Sequence, residues 1–144
     1  MITAIGEQDG FIRLVDGEDL VETLRQLPVD TAVIVCGIGM VRAVEFGYWN
    51  GTEYVATPVA EPVELLSLQG NIARHGAARA IHAHLCVAGS DGVARGGHLI
   101  AATVHNTTEI ALRIPPGIVL ERFKEETGLL GLRPRLQSPA DAAG

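Results

Sequence analysis

The hydrophobic pattern predicts mostly strands and one helix. From Phe11 to Val15 a short apolar run reads as a first strand. Leu20, Val21, Leu24 and Leu27 then fall on the 3.6-residue stripe of an amphipathic helix. Asp16 stands where an N-cap would, Glu18 and Asp19 lie where the helix dipole favours acids, and Pro28 ends the run, so the helix is predicted over about 16–27. Thr31 to Ile38 is a continuous β-branched run, as expected of a strand buried on both faces. Asn50-Gly51 predicts a hairpin between strands over about 40–49 and 52–57. Pro58 and Pro62 break that ladder, Val63 to Leu68 resumes it, and Gly70-Asn71 reads as a further turn. Thr108, Ile110, Leu112 and Ile114 alternate with outward Glu109 and Arg113. Val119 to Leu132 is ambiguous, because Val119, Phe123 and Glu126 fit a helix while Gly128 and Gly131 interrupt it. The element list is an α+β fold: a mainly antiparallel β-sheet of about seven strands with one main helix. No repeat or linker divides it, so residues 1–136 read as a single domain and the small, polar 137–144 as a disordered tail.

The chemistry concentrates in 80–104, where AIHAHLCVAG is followed by a turn and GGHLIAATV. In a strand His82 and His84 point to one face, with Ala80, Cys86 and Ala88, while Ile81, Ala83, Leu85 and Val87 face the core. Asp91-Gly92 is a hairpin signal that folds His98 back roughly opposite His84. Three imidazoles on adjoining strands are a candidate zinc site with one position left open. Nickel, copper and iron accept the same ligands, and the plain alternative is a polar patch of imidazoles at a subunit interface. His75 and His105 lie outside the pattern. Glu64 has two readings: a general base or a partner orienting an imidazole, or a half-exposed carboxylate paired with an arginine such as Arg42.

Composition narrows the function classes. The chain has 144 residues and a net charge of −6, with Lys124 its single lysine. That balance argues against tight non-specific binding to nucleic acid. No apolar run approaches the roughly 20 residues that span a bilayer, and the N-terminus lacks the pattern of a signal peptide. Cys36 and Cys86 sit in apolar runs without paired spacing and read as reduced core thiols, so a cytoplasmic location is expected. Gly37-Ile38-Gly39 lacks the third glycine and the helix that a dinucleotide loop needs, Arg42 standing at the third position. Ser67 has no Gly-x-Ser-x-Gly context. The acidic run 121–126, broken by Arg122 and Lys124, reads as a solvated surface.

Several segments together resemble one family. These are Val63-Glu64-Leu65-Leu66-Ser67-Leu68-Gln69-Gly70-Asn71-Ile72, His82-Ala83-His84, Gly96-Gly97-His98-Leu99, Thr108-Glu109-Ile110, and Arg122 with Thr127-Gly128-Leu129. In this order they resemble the plant and prokaryote conserved (PPC) domain over roughly 11–132. The resemblance implies an α+β fold on an antiparallel sheet, commonly assembled as a homotrimer. Plant members couple the domain to an AT-hook that reads the DNA minor groove, and use the domain for contacts with protein partners. This chain carries no Arg-Gly-Arg-Pro hook, and it has Glu61-Pro62-Val63 where plant members have Gly-Arg-Phe. Prokaryotic members keep the histidines and look like zinc binders, which here implies His82, His84 and His98. The expectation is a homotrimer binding one zinc per subunit, with Glu64 as a speculative catalytic helper. The alternative is a DNA-associated or protein-interaction module without catalysis.

Overall fold

The computed structural model describes residues 1–142. Period-two alternation builds its framework: β1 (Ile2–Ile5) and β2 (Asp9–Val15) form a hairpin, with Ile12 and Leu14 turned into the core. The helix α1 (Leu20–Arg25) follows and buries Leu20 and Leu24. It is shorter than the expected 16–27 and is capped by Asp19, whose carboxylate accepts from the Glu22 amide at 2.8 Å, not by Asp16. The reason is a competing ladder. Asp16-Gly17 forms a turn, Gly17 N–H donates to Val104 and Glu18 accepts from Val104, and Asp19 bridges to Thr103, so the chain is held against β7 before the helix can start.

The next strand, β3 (Ala32–Trp49), joins the segments 31–38 and 40–49 into one. Gly39, at φ 139°, packs its α-carbon against the backbone of Thr107 and Thr108, where a β-carbon would clash. Register shifts at four places along its pairing with β7 (Ala94–Arg113) let this long strand coil. Only one face of its first half is buried: Ala32 and Ile34 enter the core, while Val33, Val35 and Ile38 are exposed. A loop of residues 50–53 leads to β4 (Tyr54–Val59), an edge strand that pairs only with β3 and therefore tolerates Pro58.

β5 (Val63–His75) passes straight through Gly70-Asn71, the expected turn. Gly70 is instead a point of close approach, since a β-carbon there would collide with His82 O and Ala83 of β6 (Ala78–Ala88). A register shift between Leu65 and Ser67 moves Leu68 into the core and leaves Glu64 and Leu66 exposed. β8 (Ile118–Lys124) and β9 (Leu130–Leu136) replace the ambiguous helix by an antiparallel pair.

The nine strands form one sheet in the order β1-β2-β7-β3-β5-β8-β9, with β4 on β3 and β6 joining β5 to β7. β3, β5, β6 and β7 thus close on one another around the core. The sheet is mixed, because β8 joins β5 in parallel at Arg74↔Glu121, while the other strand pairings among the described residues are antiparallel; it has nine strands rather than about seven. The segment expected to be a disordered tail, 137–144, carries a 3-10 turn over Pro139–Ala142. Its Asp141 is paired with Arg135 at 2.7 Å and Arg74 at 3.1 Å, and residues 143–144 lie outside the described residues.

Candidate metal centre

The β6–β7 hairpin places the histidines. Ala83, Leu85 and Val87 are buried beneath it, which turns His82 and His84 to its other face. The connection is a five-residue loop, 89–93, and not the two-residue turn that Asp-Gly favours: Gly92, at φ 69°, donates to Gly89 O, and Asp91 Oδ1 accepts from the Val93 amide at 3.0 Å. The resulting register sets His98 directly across from His84. The three rings lie 5.1–5.4 Å apart centre to centre, and one ligand nitrogen from each falls within 4.8 Å of the others.

Nitrogens bound to one zinc at about 2.0–2.1 Å in tetrahedral array stand roughly 3.4 Å apart. Small side-chain rotations close the observed triangle onto an ion. The donor set also fits a metal electrostatically. Burial, reinforced by Arg122 and the other two histidines, pushes His82 down to about 4; burial, His84 and Arg122 lower His98. Both rings are therefore neutral near pH 7, as ligation demands. His98 Nδ1 is buried with no hydrogen-bond partner, a nitrogen the protein leaves unused.

Surrounding residues orient the trio. Tyr54 stacks on His98 at 4.8 Å between ring centres, and Trp49 meets Tyr54 edge-on at 5.3 Å. Gly47 admits this stack, since a β-carbon there would strike the Tyr54 ring. Arg122, read from sequence as part of a solvated surface, is half-buried here. Its Nη2 donates to Asn71 Oδ1 and to His82 Nδ1, each at 2.9 Å, and its Nη1 donates to Leu130 O at 2.8 Å. The docking of β8 on β5 brings it there, and no local pattern announces that contact. Within the same wall a cavity of about 380 Å³ opens beside His82 and His98.

The remaining candidates lie elsewhere. Glu64 pairs with Ala88, whereas His84 pairs with Gln69, five residues further along β5. At about 3.3 Å per residue, that is about 16 Å along the strand. Arg42 is not its partner, being bonded to Asp16 at 2.7 Å and to His105 Nδ1 at 2.8 Å. His75 Nδ1 contacts Arg122 O at 3.1 Å, away from the ring cluster. Cys36 is exposed and Cys86 half-buried; both are free thiols. No helix among the described residues is long and apolar enough to cross a membrane.

Comparison with known proteins places this fold among relatives. The family model for the Plants and Prokaryotes Conserved (PCC) domain matches residues 5–114. A plant- and prokaryote-conserved (PPC) protein from Pyrococcus horikoshii is 28% identical, with a TM-score of 0.82 over 95% of this chain and 97% of that one. A metal-containing protein from Archaeoglobus fulgidus is 33% identical, with a TM-score of 0.77 over 90% and 94%. A protein from Ralstonia eutropha JMP134, provisionally named DNA-binding, shares the fold at 24% identity and a TM-score of 0.76 over 86% and 90%. Among curated sequences, bifunctional protein GlmU of Synechococcus sp. (strain JA-3-3Ab) is 30% identical over 106 residues. These are 70% of this chain, but the match spans only 16% of that relative's length.

Proposed function

The chain belongs to the Plants and Prokaryotes Conserved (PCC) domain family, and from that membership we propose that it is a metal-binding protein holding one divalent ion on His82, His84 and His98. The observation that carries this is the convergence of three imidazole nitrogens within 4.8 Å on two adjoining strands. The likeness to a metal-containing archaeal protein at 33% identity supports it. Zinc is the first choice, because neutral imidazoles with one open position suit it. When bound, such an ion supplies a Lewis acid at that open position. The chain's own residues would hold it, keep His82 and His98 neutral by burial, and shield one side with Tyr54 and Trp49.

The deciding experiment is elemental mass spectrometry on protein purified without a metal-affinity tag, beside His82→Ala and His98→Ala. About one zinc per chain, lost in both variants with the fold retained, is expected. No metal in the wild type, and none taken up on adding zinc, overturns the reading.

One observation favours assembly as a second role. Phe11, Val33, Val35 and Ile38 are exposed on the outer face of β2 and β3, apolar surface of the kind that marks a protein interface. We read this face as the contact of a homotrimer in the cytoplasm, or of another protein partner. Light scattering at three times the chain mass supports the trimer, and a shift to monomer in Phe11→Glu would locate it. The charge of −6 makes binding to DNA at physiological salt the less favoured alternative.

A further inference from the structure

Arg122 is left unexplained by metal binding alone. A guanidinium has only donors, so the His82 Nδ1 that contacts it at 2.9 Å must present its lone pair. In a neutral ring the other nitrogen then carries the proton. His82 consequently cannot ligate a metal through either nitrogen while Arg122 holds Nδ1 in this way. Ligation through Nδ1 needs that lone pair, and ligation through Nε2 moves the proton onto Nδ1, facing a donor. Metal binding therefore frees one N–H of Arg122 Nη2, while Asn71 Oδ1 continues to accept from Nη2 and Leu130 O from Nη1. Its Nε is already buried without a partner.

Arg122 lines the cavity of about 380 Å³ together with His82 and His98. Among the described residues no aspartate or glutamate lines that cavity. A dication on three neutral imidazoles beside a guanidinium concentrates positive charge in a half-enclosed space with nothing in the wall to balance it. Beside these groups the cavity is lined by apolar side chains, Trp49, Tyr54, Leu129 and Leu130, with the Tyr54 ring stacked on His98.

We propose that this cavity binds a small organic oxyanion, a carboxylate or phosphate ester on a flat apolar body. Its oxygens are shared between the metal and Arg122, and its body rests against Tyr54 and Trp49. The inference rests on the metal-binding reading and adds an order to it: metal first, anion second. Arg122 is a ligand-binding residue in this scheme, and its contact with His82 is the metal-free resting arrangement.

The test is calorimetric titration of the full chain with benzoate, phenyl phosphate, inorganic phosphate and uncharged benzyl alcohol, after zinc loading is verified by elemental analysis. Benzoate or phenyl phosphate should bind the zinc-loaded protein at least ten-fold more tightly than the metal-free protein, and benzyl alcohol should not bind. Whichever of the two organic anions binds more tightly identifies the carboxylate or the phosphate ester as the natural head group. Arg122→Gln should lose ten-fold or more at unchanged zinc content, with partial recovery in Arg122→Lys. Should Arg122→Gln fail to fold, Tyr54→Ala carries the test, weakening the organic anions while sparing inorganic phosphate. Zinc-loaded wild type that binds none of the anions, or an Arg122→Gln protein that binds them as well as wild type, overturns the proposal and leaves metal binding standing. Failure to take up zinc overturns both.

Discussion

Two arginine–histidine contacts in this molecule look alike and differ in what surrounds them. Arg42 donates to His105 Nδ1 at 2.8 Å, and Arg122 donates to His82 Nδ1 at 2.9 Å. Beside Arg42 lies Asp16, which accepts from Arg42 at 2.7 Å and from the Asn106 amide at 2.8 Å; these bonds hold its carboxyl below the usual carboxylate range. That cluster carries its own counter-charge. It ties the turn before α1 to the middle of β3 and to β7, and it leaves no site to fill. Arg122 has no carboxylate among its bonded partners, only Asn71, Leu130 O and His82, with two further imidazoles close by. The same side-chain pair is thus a closed clasp in one place and an open, cation-rich recess in the other. What separates them is the presence of one negative charge.

The difference can be broken most sharply through metal affinity. His84→Ala should reduce zinc affinity by more than the roughly 10–100-fold that loss of a supporting partner costs, while His105→Ala leaves it unchanged. Equilibrium competition with a chromogenic chelator measures both, and equal losses would erase the distinction. A smaller contrast is expected in stability. Arg122→Ala strands half-buried acceptors and should cost about 1–3 kcal/mol in urea denaturation. Arg42→Ala breaks a mostly solvated pair and should cost about 0–1 kcal/mol.

Smallest is a pH effect in the metal-free protein. His82, held down to about 4 chiefly by burial, is neutral when folded, but in the unfolded chain it titrates near 6.5. The unfolded state then binds more protons, so stability should rise with pH from about 4 to about 6.5, with His98 contributing in the same direction. His82→Gln should flatten that rise. An unchanged slope would mean that the ring is more solvated than its surroundings imply.

Much of the site was legible because it depends on short-range rules. His-x-His in a strand shares a face by geometry, and Asp91-Gly92 closes a hairpin whose register brings His98 opposite His84. The stripe of Leu20, Leu24 and Leu27 likewise located α1, all three being fully buried. Gly70 is the exception. It resembles a break in a one-dimensional pattern, yet it lies inside a strand where a neighbouring backbone comes too near for any side chain. Tolerance of a turn and tolerance of a close approach are the same property of the residue, and sequence alone does not distinguish them.

Arg122 was missed for a different reason. It lies in a charged run in which a solvated position is the ordinary expectation, and it is 40 residues from His82. Only the parallel docking of β8 on β5 carries it over the imidazoles. What the sequence determined by itself was the set of candidate ligands and the hairpin that presents them, because side-chain alternation and turn chemistry act over a few residues. What only the tertiary structure decided was the company those ligands keep: the stacked Tyr54, the guanidinium without a carboxylate, and the recess beside them. These depend on which distant strands pair and on where bulges shift their register, and such long-range choices are settled by packing of the whole core rather than by any local signal.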